Sequence, residues 1–203
     1  MGKLTKFVAL TAFLCCSQTP TTATYWGDWG KVEYCPEGEQ AIGFSLKTER
    51  PQGSGDDTAL NAIALICTSG RMITSTQGPW GNRGGRFVCQ SGSYITSCRL
   101  RVEPPQGFGD DTSANDLNCK CSNGETLNGD GNSWGNWNSW SSPCHNGIMA
   151  IQTRVEKPQG RGDDTALNDV SFTCFRKRDQ MLQQERAPNA IDALGAKFVA
   201  GRF

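Results

Sequence analysis

The sequence predicts an all-β chain built from one unit used three times, and three observations carry that prediction. The octapeptide Pro51-Gln52-Gly53-Ser54-Gly55-Asp56-Asp57-Thr58 returns at 105–112 and 158–165, at offsets of 54 and 53, with seven of its eight positions identical. On both sides of each copy, apolar and polar residues alternate at period two, the pattern of a strand with one buried face. Eight cysteines keep step with the same register. A period of this length marks a repeat architecture.

The elements follow in order. Lys3 and Lys6 precede the apolar run Phe7 to Cys16, and small residues follow to Ala23, so residues 1–23 read as a secretory signal. The run is too short to span a bilayer. The repeated body occupies 24–175. Trp26-Gly27, Trp80-Gly81 and Trp134-Gly135 open its units. In the first arm Ile42, Phe44, Leu46 and Thr48 are expected to face inward, as are Thr96, Cys98, Leu100, Val102 and Met149, Ile151, Thr153, Val155. The outward column is Lys47, Arg101, Arg154, then Glu49, Glu103, Glu156, read as a solvated face. The octapeptide supplies turn chemistry, since Pro sets φ and Gly tolerates positive φ. The second arm places Ile63, Leu65, Cys67, then Leu117, Cys119, Cys121, then Val170, Phe172, Cys174 inward. A third strand is expected near Met72-Ile73-Thr74 and its counterparts. Nothing in the body is long enough and 3.6-periodic enough for a helix. The tail, 176–203, starts with Arg176-Lys177-Arg178 and carries Ile191, Leu194 and Phe198 at helical spacing, interrupted by Gly195 and Gly201. A helix this short is marginal alone, so the tail reads as disordered.

Cleavage after residue 23 removes Cys15 and Cys16 and leaves an even set, as full pairing in an oxidising compartment requires. Cys35 with Cys67, Cys89 with Cys121 and Cys144 with Cys174 are equivalent positions, 32, 32 and 30 residues apart. Cys98 and Cys119 replace two inward hydrophobes of the middle unit on neighbouring arms. The reading is four disulfides, each within one repeat, although eight cysteines allow 105 connectivities on count alone. A closed loop of about 30 residues contributes roughly 3–4 kcal/mol in the chain-entropy model.

Composition narrows the function. Lys+Arg and Asp+Glu balance at 20 each, but residues 24–174 carry 12 basic and 17 acidic side chains, a net −5. Such a body offers no broad field for nucleic acid. His145 is the single histidine, which excludes His-based triads and multi-His metal sites; no metal or cofactor is expected. Asp56-Asp57, Asp110-Asp111 and Asp163-Asp164 could be calcium ligands or catalytic carboxylates. Neighbours in an extended segment point opposite ways, and Asp in a Gly-flanked loop accepts local backbone N–H groups, so they read as turn residues. Arg161-Gly162-Asp163 matches an integrin-recognition tripeptide, but its column holds Ser54 and Phe108 elsewhere, which makes the match a coincidence. Trp134, Trp137 and Trp140, set among Asn and Ser, are the carbohydrate-binding candidates, because ring faces stack on sugars while polar neighbours pair hydroxyls. Trp26, Trp80 and Trp134 share a column, which suits capping of the core.

The stretches Trp-Gly-x-Trp, Cys-Pro-x-Gly, Gly-Phe-Ser-Leu-Lys and Pro-Gln-Gly-x-Gly-Asp-Asp-Thr-Ala-Leu-Asn resemble the vitelline membrane outer layer protein 1 family from Trp26 to Cys174. The resemblance implies a β-prism: three four-stranded Greek-key sheets about a pseudo-threefold axis. It also implies a secreted protein of egg envelopes and other extracellular fluids, with a structural or barrier role and with coat proteins or glycans as partners. The alternatives it raises are a binding module for N-acetylglucosamine oligomers and a weak transferase acting on them; no sequence-local pair of carboxyls nominates a catalytic site. A neutral sugar is expected to prefer the rings of Trp137 and Trp140 to the second unit, where Trp80 stands with Arg83 and Arg86.

Overall fold

The structure is a computed structural model, and it describes residues 26–52, 58–104, 113–158 and 165–176. The signal segment, the three Asp pairs, Arg161-Gly162-Asp163 and the tail beyond Arg176 lie outside the described residues. Among those described there is no helix. The strands are β1 (Asp28–Trp29), β2 (Glu33–Tyr34), β3 (Ala41–Thr48), β4 (Leu60–Cys67), β5 (Met72–Thr74), β6 (Asn82–Arg83), β7 (Phe87–Val88), β8 (Ile95–Val102), β9 (Ala114–Cys121), β10 (Thr126–Asn128), β11 (Asn136–Trp137), β12 (Ile148–Val155) and β13 (Leu167–Cys174).

They form three antiparallel sheets, the walls of a β-prism. Sheet 1 has the order β5-β4-β3, with β6 and β7 both on β3; sheet 2 is β10-β9-β8-β11; sheet 3 is β13-β12, with β1 and β2 both on β12. Sheets 1 and 2 are Greek keys: three consecutive strands, then a fourth returning beside the first. Their inward faces meet in one core. Phe44, Leu46, Ile63 and Leu65 come from sheet 1, Ile95 and Leu117 from sheet 2, and Ile148, Ile151 and Leu167 from sheet 3, all fully buried. Each such side chain contributes roughly 1.5–3 kcal/mol on burial.

Repeat and sheet are out of phase. The opening of the second unit (β6, β7) pairs with the hairpin of the first, and the opening of the third (β11) pairs with the hairpin of the second. The opening of the first unit (β1, β2) closes the ring on the last hairpin. The four disulfides are Cys35–Cys67, Cys89–Cys121, Cys98–Cys119 and Cys144–Cys174. Because of the phase offset, the three repeat disulfides join different walls. Cys35 continues β2 along sheet 3 through its N–H to Met149 O, while Cys67 ends β4 of sheet 1. Cys89 and Cys121 tie sheet 1 to sheet 2, and Cys144 and Cys174 tie sheet 2 to sheet 3. Cys98 and Cys119 face each other across β8 and β9, inside one wall.

Two details depart from the period-two reading. Ile42, Thr96 and Met149 are not core residues. Each sits at a register shift, so Ala41, Ile95 and Ile148 take the buried positions before it. A bulge adds one residue and reverses the facing of everything before it. Glu49 and Glu156 are likewise not a free solvated row. Glu49 Oε2 accepts the Thr58 hydroxyl at 2.6 Å, and Glu156 Oε2 accepts that of Thr165 at 2.6 Å. The Thr hydroxyls in turn accept Asn61 Nδ2 and Asn168 Nδ2 at 2.6 and 2.7 Å. These buried chains hold Ala59 and Ala166 at φ of 49° and 46°, a conformation that disfavours a non-glycine residue. The Thr-Ala-Leu-Asn of the motif is thus a clamp at the second bulge.

Candidate functional site

The outward face of sheet 2 gathers the tryptophan candidates. Beyond the bulge at Thr96, the alternation of β8 turns Arg99 and Arg101 outward. On β9, Lys120 stands opposite Ser97, Asn118 opposite Arg99 and Asp116 opposite Arg101. The segment that starts at β11 then runs along β8. Trp137 pairs with Arg101, Asn138 N–H donates to Leu100 O at 2.9 Å, and Ser141 N–H donates to Cys98 O at 2.8 Å. This lays two indoles on the sheet. Arg101 lies 5.9 Å from the Trp137 ring centroid, Arg99 lies 4.8 Å from Trp137 and 4.6 Å from Trp140, and the Lys120 ammonium lies 4.5 Å from Trp140. The result is a ladder in the order Arg101, Trp137, Arg99, Trp140, Lys120.

Trp134 takes no part in the ring–cation contacts among the described residues; it sits half-buried beside the turn at Gly135. The structure therefore brings Trp137 and Trp140 together and leaves Trp134 aside. Arg83 and Arg86 lie on sheet 1, apart from these rings. The cations that do meet the rings, Arg99 and Arg101, belong to the second unit's hairpin, because the opening of unit three is an edge of unit two's sheet. Arg99 and Lys120 escaped sequence reasoning. A signal for them existed: their columns hold Ser45 and Gln152, and Ile66 and Thr173, so the cations belong to the middle copy alone.

Charge balance on this face is uneven. Arg101 Nε donates to Gly135 O at 3.0 Å, and Arg99 Nε is buried with no hydrogen-bond acceptor. Among the described residues none of Arg99, Arg101 and Lys120 forms a salt bridge; that between Arg154 and Asp169 belongs to sheet 3. Asp116 is nearby but covered. Its Oδ1 accepts Leu117 N–H at 2.8 Å and Gly131 N–H at 3.2 Å. Burial, reinforced by Asp130, pushes its pKa up from 3.8, against the pull of the two N–H groups and Arg101.

A cleft of about 440 Å³ near the end of sheet 1 is lined by Glu49, Arg50, Arg83 and Asp130, among others. It brings two carboxylates into one hollow, yet Glu49 is committed to Thr58 and to Gln52 Nε2, and Asp130 Oδ2 accepts Gly85 N–H at 3.0 Å. That is a poor arrangement for an acid and a base. Among the described residues no group of His, Cys, Asp and Glu could hold a metal ion. His145 is exposed in a turn, and its carbonyl accepts the Tyr94 hydroxyl at 3.1 Å.

Residues 17–177 match the family described as Vitelline membrane outer layer protein I. A vitelline membrane outer layer protein 1 homolog of Homo sapiens is 46% identical over 163 residues, covering 77% of this chain and 81% of that one. The Mus musculus homolog is 44% identical over 161 residues, covering 76% and 80%. Among solved structures, a prostate-specific WGA16 glycoprotein lectin superposes with a TM-score of 0.49 at 12% identity, over 74% of this chain and 91% of its own.

Proposed function

Because the chain belongs to the vitelline membrane outer layer protein I family, we propose that it is a secreted component of an extracellular layer, with a structural or barrier role. The observation that carries this reading is the ring of three disulfides joining wall to wall. Such bonds persist in oxidising compartments, and each restricts the unfolded chain. A prism stapled at all three corners suits a durable layer. In this reading residues 1–23 are removed on export, 24–175 form the prism, and other layer proteins or glycans are the partners. The test is expression of the full chain in cultured secretory cells. The expected product starts near residue 24, resists protease until reduced, and sediments with insoluble extracellular material. An uncleaved, intracellular product with free thiols overturns the reading.

A second reading is favoured by one observation, the ladder of Trp137 and Trp140 laid on sheet 2: the prism binds glycans there. Indole edges and the exposed Ser139 and Ser142 beside them give ring surface and hydroxyl partners. Calorimetry with a chito-oligosaccharide on the parent protein and on Trp140→Ala tests it. Equal affinity rejects this face.

A further inference from the structure

We propose that the ladder on sheet 2 selects anionic glycans, with sulfate or carboxylate groups bound at the edges of Arg99, Arg101 and Lys120. This deepens the glycan-binding reading and rests on it. The ladder occupies the flat faces of the guanidinium groups with indole rings. Stacking leaves the in-plane N–H donors of a guanidinium free, and those donors match the geometry of a sulfate or carboxylate. Arg99 has the ring contacts and, among the described residues, forms no salt bridge, so no protein carboxylate there answers its charge. Lys120 is exposed, its ammonium lies over the Trp140 ring, and it forms no salt bridge among the described residues. Asp116, the one acid paired into the row, spends its Oδ1 on two backbone N–H groups under the Gly129–Gly131 loop.

The equivalent row on sheet 3 shows the contrast. There Gln152 replaces Arg99, Thr173 replaces Lys120, and Arg154 is neutralised by Asp169 at 3.5 Å. Sheet 2 keeps three cations in a line where sheet 3 keeps one, on one wall of a body whose net charge is −5. A local cationic strip on an acidic body attracts a flexible polyanion that touches one wall and repels one that must wrap the molecule. Residues 99 and 101 are two apart on one strand, roughly 7 Å, so successive charged groups of an extended chain can be met in register. The edges of the half-buried indoles between the cations give the sugar rings apolar surface, which distinguishes a glycan from a bare polyphosphate.

Four probes test this on the full secreted protein by calorimetry: a sulfated heparin oligosaccharide, the same oligosaccharide desulfated so that carboxylates remain, a neutral chito-oligosaccharide, and inorganic polyphosphate. The expected result is binding of one or both anionic sugars and weaker binding of the neutral sugar and of polyphosphate. Affinity should fall as salt rises. Lys120→Gln, an exposed change that removes the end cation and keeps Arg101, Trp137, Arg99 and Trp140, should weaken binding roughly tenfold, Lys120→Arg should restore it, and Arg71→Gln on another sheet should change nothing. Sulfated and desulfated arms tell sulfate from carboxylate recognition. Equal or tighter binding of the neutral sugar overturns the anionic selectivity while leaving the glycan reading intact. Polyphosphate binding as tight as heparin overturns it as mere charge attraction. Absence of binding by every sugar overturns both readings.

Discussion

Sheets 2 and 3 start from the same repeat and present opposite outward faces. Both pair an arginine with an aspartate across the same strands and lay a tryptophan over the arginine: Arg101, Asp116 and Trp137 on one, Arg154, Asp169 and Trp29 on the other. On sheet 3 the two charges meet at 3.5 Å, so the arginine is balanced. On sheet 2 the added Arg99, Lys120 and Trp140 turn Arg101 into the end of a cationic ladder. Inside the walls they differ too, since Cys98–Cys119 stands where Ile151 faces Phe172. The lesson is that three side chains and one longer loop, with no change of backbone plan, convert a scaffold wall into a candidate binding wall.

The largest effect should come from the bond that joins these two walls. Cys144→Ala with Cys174→Ala opens a loop of about 30 residues and should cost roughly 3–4 kcal/mol in thermal unfolding. Equal stability would show that the corners do not need their staples. The bond within sheet 2 should matter less. Cys98→Phe with Cys119→Leu loses a loop of about 20 residues, on the order of 3 kcal/mol, but installs the Phe44–Leu65 pair that sheet 1 uses at the same register. A loss exceeding that of the corner bond would reverse the ranking.

Next in size is the clamp. Asn168→Ala should cost about 1–3 kcal/mol by denaturant titration, because the Thr165 hydroxyl and Ala166 carbonyl lose their buried donor. Trp140→Ala should then cost about 1–2 kcal/mol, since two cations stack on that ring, and Trp29→Ala about half as much, since one does. Equal costs would deny the ladder any stabilising role.

The smallest effect concerns acid. Burial raises the pKa of both Asp116 and Asp169 above 3.8 in the folded chain. The folded state then holds protons that the unfolded state has released, so these two groups make stability fall as pH rises from about 4 through their folded values. Asp116→Asn keeps an Oδ1 acceptor for Leu117 and Gly131, so it should flatten that slope with little loss near neutrality. Asp169→Asn should also flatten it but lose up to about 1 kcal/mol with its partly buried partner Arg154. Urea titrations at several pH values check both. A steeper slope in Asp116→Asn would mean that the ionised carboxylate stabilises sheet 2.

Most of the architecture was written in local pattern. The thrice-used octapeptide, the alternation around Phe44, Ile151 and Leu117, and the cysteine register depend on residues close in sequence, and hydrophobic alternation alone selects strands. The clamp was half legible: Thr58 and Asn61 were visible as columns, but their link to Glu49 crosses a turn and a bulge, and a bulge leaves no mark on composition. For the same reason Ile42, Thr96 and Met149 looked like core. The sequence by itself determined that three β units would form, pair their cysteines within each repeat and share one core. Only the tertiary structure decided which strands lie side by side. Each opening segment is one or two short strands that cannot stand alone, so it must complete the exposed edge of another hairpin, and for three units in a ring that edge belongs to the preceding one. That offset turns disulfides within a repeat into bonds between walls, and sets the tryptophans of the third unit over the arginines of the second.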